Sequence, residues 1–169
     1  MKKDLSIIFG LFLLIAVLII FGQGFTSGSF LKNNGGVSQK SQKAKGFTTV
    51  NARSLSINAK IASLASDRKR GLSRRNSLPF NEGMLFVFEN SGVWGFWMKD
   101  MKFAIDIIWI GDDKKIVDIA TNVPPEPDKR DRELTIHRPR ADAMYVLEVN
   151  AGLANLNGLA IGDKVDFAL

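Results

Sequence analysis

Cysteine is absent from the 169 residues, and histidine and tyrosine occur once each, as His137 and Tyr145. Without cysteine there is no disulfide framework, no thiolate zinc site, no iron–sulfur cluster and no cysteine nucleophile. A zinc site would have to be assembled mostly from carboxylates around His137, which lies in a polar stretch between Ile136 and Arg138. We therefore expect no metal and no cofactor. The sequence also lacks a P-loop, an HExxH helix, a GxSxG elbow and the kinase motifs. Gly22, Gly24 and Gly28 follow an apolar run rather than a strand, so they do not make a dinucleotide loop. Proline is scarce and unevenly placed: four of the five lie between Thr121 and Arg140. A polar segment of about twenty residues exceeds an ordinary connection and is expected to be functional or mobile.

Charge is missing from Leu5 to Phe21, where only Ser6 and Gly10 interrupt the hydrophobic residues. Seventeen residues rise roughly 26 Å as a helix, slightly short of a hydrocarbon core of about 30 Å. At about −0.3 to −0.6 kcal/mol for each Leu, Ile, Val or Phe, insertion is favourable and nothing of similar size opposes it. Residues 1–21 are thus expected to form a transmembrane anchor or, if Gly22 and Gly24 mark a cleavage site, a signal sequence that leaves a secreted domain. Lys2 and Lys3 flank one side and no charge appears on the other until Lys32, which places the N-terminus in the cytoplasm and the remainder outside.

Residues 22–53 are rich in Gly, Ser, Asn, Gln and Lys and read as a flexible basic linker. From Leu31 to Ser77 there are eleven Lys and Arg against one acid, Asp67, whereas Leu78 to Leu169 carries ten basic and fifteen acidic residues. The basic stretch lacks interleaved aromatics and sits beside an exported anchor, so nucleic acid is not the expected partner. Residues 54–169 read as the globular domain. Apolar patterning and the turns between runs predict strands at Leu55–Leu64, Met84–Phe88, Gly92–Asp100, Phe103–Ile110, Lys115–Ala120, Met144–Val149 and Val165–Phe167. Short helices are expected after Ser66-Asp67 and after Asn150. Many short strands without regular βαβ alternation give the fold class: α+β, mainly antiparallel, a compact barrel-like or sandwiched sheet with two short helices behind one transmembrane helix.

Strand parity picks out the chemistry-bearing residues. In Phe103–Ile110, Asp106 falls on a face with Ala104, Ile108 and Ile110; in Met144–Val149, Glu148 falls with Val146 and Met144. A carboxylate among such neighbours is partly buried and needs a cation or several N–H donors. Lys99 is the natural cation, with Arg70, Arg74 and Arg75 as others. Either Asp106 and Glu148 anchor turns and ion pairs within the fold, or Trp97, Lys99, Asp106 and Glu148 line one polar pocket with an aromatic wall. Such a pocket suits a small polar ligand or an envelope component. Used as an acid–base pair, the same two carboxylates would make a hydrolase or transferase acting on envelope material; no catalytic residue is otherwise marked.

The blocks KRGLSRRNSLPFNEGMLFVFE, GFWMKDMKFAIDIIWIGDDKKIVDI and YVLEVNAGLANLNGLAIGDKV, in that order, resemble the domain of unknown function 192 family of bacteria and archaea over about Leu55 to Leu169. The resemblance implies a compact, mostly β domain, often behind a signal peptide or single anchor, with no established reaction or substrate. The family's characteristic positions correspond to Arg70, Gly71 and Leu72, then Gly83, Met84, Leu85 and Phe86. They continue as Trp97, Met98 and Lys99, as Asp106, and as Glu148, Asn150, Gly152, Gly162 and Asp163. Ser73 stands where Met is common, and Asp100-Met101 replaces a more usual Asn-Thr. The expected role is a membrane-anchored extracytoplasmic ligand-binding or interaction module.

Overall fold

The computed structural model describes residues 46–169; the apolar run at 5–21 and the linker as far as residue 45 lie outside the described residues. Six strands form one mixed sheet in the order β1-β2-β3-β6-β4-β5. In chain order these are β1 (Phe47–Ala52), β2 (Leu55–Ala62), β3 (Glu82–Gly92), β4 (Ile105–Ile110), β5 (Ile116–Val123) and β6 (Ala143–Asn150). Helix α1 spans Ala65–Arg70, a 3₁₀ turn spans Asp131–Glu133, and α2 spans Leu153–Leu156. The fold class is therefore α+β. Of the five strand pairings only β2–β3 is parallel, and its crossover carries α1.

The sheet is open, which corrects the barrel-like expectation. Its ladder ends at β1 and β5. The C-terminal segment read as a last strand makes only single bridges, Asn51 to Asp166 and Lys115 to Lys164. The linker boundary also moves: residues 47–53 fall within the expected tether, yet Phe47–Ala52 is an edge strand with Thr48, Val50 and Ala52 buried. Thr48 is what disguised it, being polar on the core face; its hydroxyl donates to the Ala168 carbonyl at 2.7 Å. The strand expected at Gly92–Asp100 is irregular as well. β3 runs on to Gly92, and the chain then folds over one face of the sheet, touching strand-like geometry only at the Phe96–His137 bridge.

Each face of the sheet carries its own core. One holds Ile57, Leu85, Ile108, Leu147 and Val149, closed by α2 and the C-terminal segment. The other holds Phe86, Ile107, Trp109 and Val146, covered by Leu72, Met98 and Met101. Gly83 lies where the two central strands meet β2; a Cβ there would stand 2.7 Å from the Glu148 carbonyl oxygen and 2.8 Å from Ile57 Cγ2, so no side chain fits without moving backbone. α1 begins at Ala65, earlier than the Ser66-Asp67 cap expected, and stops at Gly71, whose φ of 50° ends the helix and turns the chain across the second face.

Candidate functional site

The register of β4 against β6 decides what the two carboxylates can do. Asp106 pairs with Val149, and Ile107 pairs with Glu148. Directly opposed residues share a face, so Asp106 points into the first core and Glu148 into the second. This corrects the expectation of a single pocket holding Trp97, Lys99, Asp106 and Glu148.

Asp106 is completely buried. Its Oδ1 accepts from the backbone N–H groups of Asn122 at 2.8 Å and Gly152 at 3.1 Å, and its Oδ2 accepts from Ala154 at 2.8 Å. Helix α2 opens at Gly152, where no side chain of its own caps it; Asp106 supplies the cap from a neighbouring strand. The Asn150 cap expected from sequence is not made. Asn150 instead donates to the carbonyls of Leu78 and Pro79, tying the end of β6 to the approach to β3. Asp106 is thus a clamp on the fold, with its acceptors engaged by backbone.

On the opposite face Glu148 is only 5% exposed, and its Oε2 has no hydrogen-bond partner among the described residues. Burial without a compensating cation pushes its pKa up to about 8. It lines a cavity of about 790 Å³. Phe86, Phe88, Trp94, Phe96 and Trp97 supply aromatic walls. Phe88 stacks on Trp94 with centroids 4.1 Å apart, and Phe96 meets Phe86 edge-on at 4.9 Å. Trp97 is 46% exposed, so its ring borders both the cavity and solvent. Trp94 Nε1 is buried and, like Glu148 Oε2, has no partner among the described residues. Two unpartnered polar atoms on residues lining one cavity mark it as the candidate site.

The rim is basic. Arg68, Lys69, Arg70 and Arg74 come from α1 and the turn after it, and Lys99 from the covering segment. Lys99 forms an ion pair with Asp131 of the 3₁₀ turn rather than with either buried carboxylate. The long segment after β5 therefore reaches the cavity, and it is well tied down. Phe96 and His137 exchange backbone hydrogen bonds at 2.8 Å, and the Glu126 carboxylate accepts from Thr135 N–H and Oγ1. The hydrogen bond that Lys129 donates to Glu126, with these two from Thr135, holds the Glu126 pKa down at about 2. At the far end of the segment, Arg140 grips buried Asp118 through its guanidinium and its own N–H, which lowers the Asp118 pKa.

Of the residues singled out from sequence, Arg70, Gly71, Leu72, Phe86, Trp97, Lys99 and Glu148 come together around this cavity. Gly162 and Asp163 do not: the Asp163 carboxylate accepts from Ala160 N–H and pairs with Arg53, pinning the C-terminal turn near β1. Met84 and Met98 are buried in the second core. Trp94, Phe88 and Arg68 were missed. The run of aromatics at 94, 96 and 97 is the available signal, obscured by the strand expected over that segment. Among the described residues no group of three or more His, Asp and Glu gathers as a metal ligand set.

The model of one protein family, DUF192, described as "Uncharacterized ACR", matches residues 47–167. No curated protein matches the chain. Among solved structures, the crystal structure of a protein of unknown function from Novosphingobium aromaticivorans DSM 12444 is similar at 30% identity and a TM-score of 0.62, with 71% of this chain and 83% of that one covered. A "putative transcription regulator" from Sinorhizobium meliloti 1021 is similar at 27% identity and a TM-score of 0.63, with 72% of this chain and 92% of that one covered. The family match takes in all six strands, both helices and the residues around the cavity, and the chain belongs to the DUF192 family.

Proposed function

We propose that the chain is a ligand-binding module, held at the outer face of a membrane by its N-terminal apolar run, that takes a small polar ligand from the cell envelope in the cavity over Glu148. The observation that carries the binding reading is the buried Glu148 carboxyl with Oε2 unpartnered. A buried polar atom left unmatched costs about 1–3 kcal/mol, more if charged, a penalty that a ligand donor removes. The other reading, a hydrolase using Asp106 with Glu148, loses its pair: the sheet separates the two groups, and Asp106 has its acceptors occupied by backbone N–H donors.

The test is a titration of the full chain in detergent with monosaccharides, sugar acids, amino acids and short peptides, read by tryptophan emission, since Trp94 and Trp97 line the cavity. At least one class should change the emission. Glu148→Gln should weaken that ligand about tenfold, the loss of one charge-assisted hydrogen bond. No response to any probe, or equal binding to Glu148→Gln and Trp97→Ala, would overturn the assignment. For location, protease added to intact cells should remove the domain after Gly22; full protection would refute the outward orientation.

A further inference from the structure

Resting on the binding site just assigned, the chemistry of the cavity narrows its ligand. Its charges do not cancel. Lys99 is matched by Asp131, and Arg74 by Asp100 at 3.7 Å. Arg68, Lys69 and Arg70 have no carboxylate partner among the described residues. Arg68 is nonetheless held in place, donating to the carbonyls of Ser63 and Val87 with its guanidinium 5.2 Å over the Phe88 ring. The mouth thus offers three unmatched cations, fit for an anionic group.

Deeper in, the polarity reverses. Glu148 is the one acid of the lining that is buried, no cation among the described residues pairs with it, and the lining around it is rich in aromatic faces. A lone carboxylate and aromatic faces both favour a ligand cation, through Coulomb attraction and through the ring quadrupole. Trp94 Nε1 offers a hydrogen-bond donor with no acceptor among the described residues. A ligand that answers all three features carries an ammonium group, a carbonyl-type acceptor and an anionic end. The volume of about 790 Å³ is several times that of one amino acid and falls within the range of about 300–1,000 Å³ usual for larger small-molecule ligands.

We propose that this cavity takes a short peptide with both termini free, its ammonium on Glu148, a backbone carbonyl on Trp94 Nε1 and its carboxylate against Arg68, Lys69 and Arg70. The aromatic walls receive its side chains. An ammonium settling on Glu148 requires the carboxyl to give its proton to solvent, so binding near neutral pH releases about one proton per peptide.

The probes are a pool of tripeptides with free termini, the same pool N-acetylated, the same pool C-amidated, and glucuronic acid, each titrated into the full chain in detergent. Calorimetry in two buffers of different ionisation enthalpy counts the protons released. The free pool should bind with release of about one proton and should bind at least tenfold more tightly than the acetylated pool. On Glu148→Gln that preference should fall below twofold and the proton release should vanish. Amidation should weaken binding to the wild-type chain and should weaken it less on Arg70→Gln, where two of the three cations remain. Equal affinity for free and acetylated pools, or binding without proton release, overturns the peptide assignment. Glucuronic acid binding while no peptide binds overturns it too and leaves the ligand-binding reading standing. Failure of every probe, here and in the wider panel, removes both.

Discussion

Replacing Asp106 by alanine should lower the stability of the fold by about 2–5 kcal/mol without weakening whatever binds over Glu148. The cost follows from what the carboxylate holds. It is completely buried and gathers three backbone N–H groups: Asn122 at the end of β5, and Gly152 and Ala154 at the start of α2. Each orphaned donor costs about 1–3 kcal/mol when dry. Only the bond to Ala154 is fully buried, so water can recover part of the loss at the other two, which sets the range. Asp106→Asn should be milder, since one oxygen remains while an amide N–H2 faces at least one donor. Urea unfolding of the full chain followed by tryptophan emission gives the change in midpoint. An Asp106→Ala midpoint equal to wild type would show that the clamp carries no weight; lost ligand affinity in the folded variant would place Asp106 in the site after all.

Glu148→Gln should make the protein more stable at alkaline pH and flatten its stability profile between pH 4.5 and about 8. The unfolded chain exposes an ordinary glutamate near 4.5, whereas burial raises the folded value to about 8. Between those values the native state holds a proton that the unfolded state has lost. The favourable contribution is therefore fully present below pH 4.5 and disappears as pH rises through 8. A gap of that size corresponds to something on the order of 5 kcal/mol, an upper figure because a few waters or a small opening of the cavity would relieve it. Glutamine has no proton to lose and keeps nearly the same shape. The other shifted carboxylates move the opposite way: Asp113, Asp118, Glu126, Glu133 and Asp163 are all lowered by bonds to basic groups or N–H donors. Their contributions are lost only in acid, below the usual carboxylate range, so the slope between pH 4.5 and about 8 belongs to Glu148. Melting temperature against pH, wild type beside Glu148→Gln, separates the two; parallel profiles across pH 5 to 9 would contradict the assignment.

Which of these roles was legible beforehand turned on whether one strand or two had to be read. Parity within β4 and within β6 follows from alternation alone, and it correctly assigned each carboxylate its companions: Asp106 with Ile108, Glu148 with Val146. Register between the strands does not follow from either. A slip of one residue would have put the two carboxylates on the same face, and nothing local distinguishes the two arrangements. Thr48 hid the first strand because a hydroxyl satisfied by a carbonyl 120 residues away has no sequence signature. Trp94 and Phe88 stack although six residues apart, because the chain leaves the sheet after Gly92 and folds back over it; alternation read that stretch as one more strand. The residues from Arg70 to Leu72 were marked by the family pattern without a reason. The structure supplies one, since Gly71 ends α1 and turns its basic end over the cavity.

The most direct measurement is the carboxyl carbon resonance of Glu148, followed by NMR through a pH titration of the full chain and assigned by its loss in Glu148→Gln. A midpoint near 8 in the free protein, moving sharply when a ligand saturates the cavity, is the result expected of a dry, unmatched acid beneath a binding site. A midpoint close to 4.5 that ignores every added ligand would mean that this side chain already meets water or a partner, and that no recognition happens there.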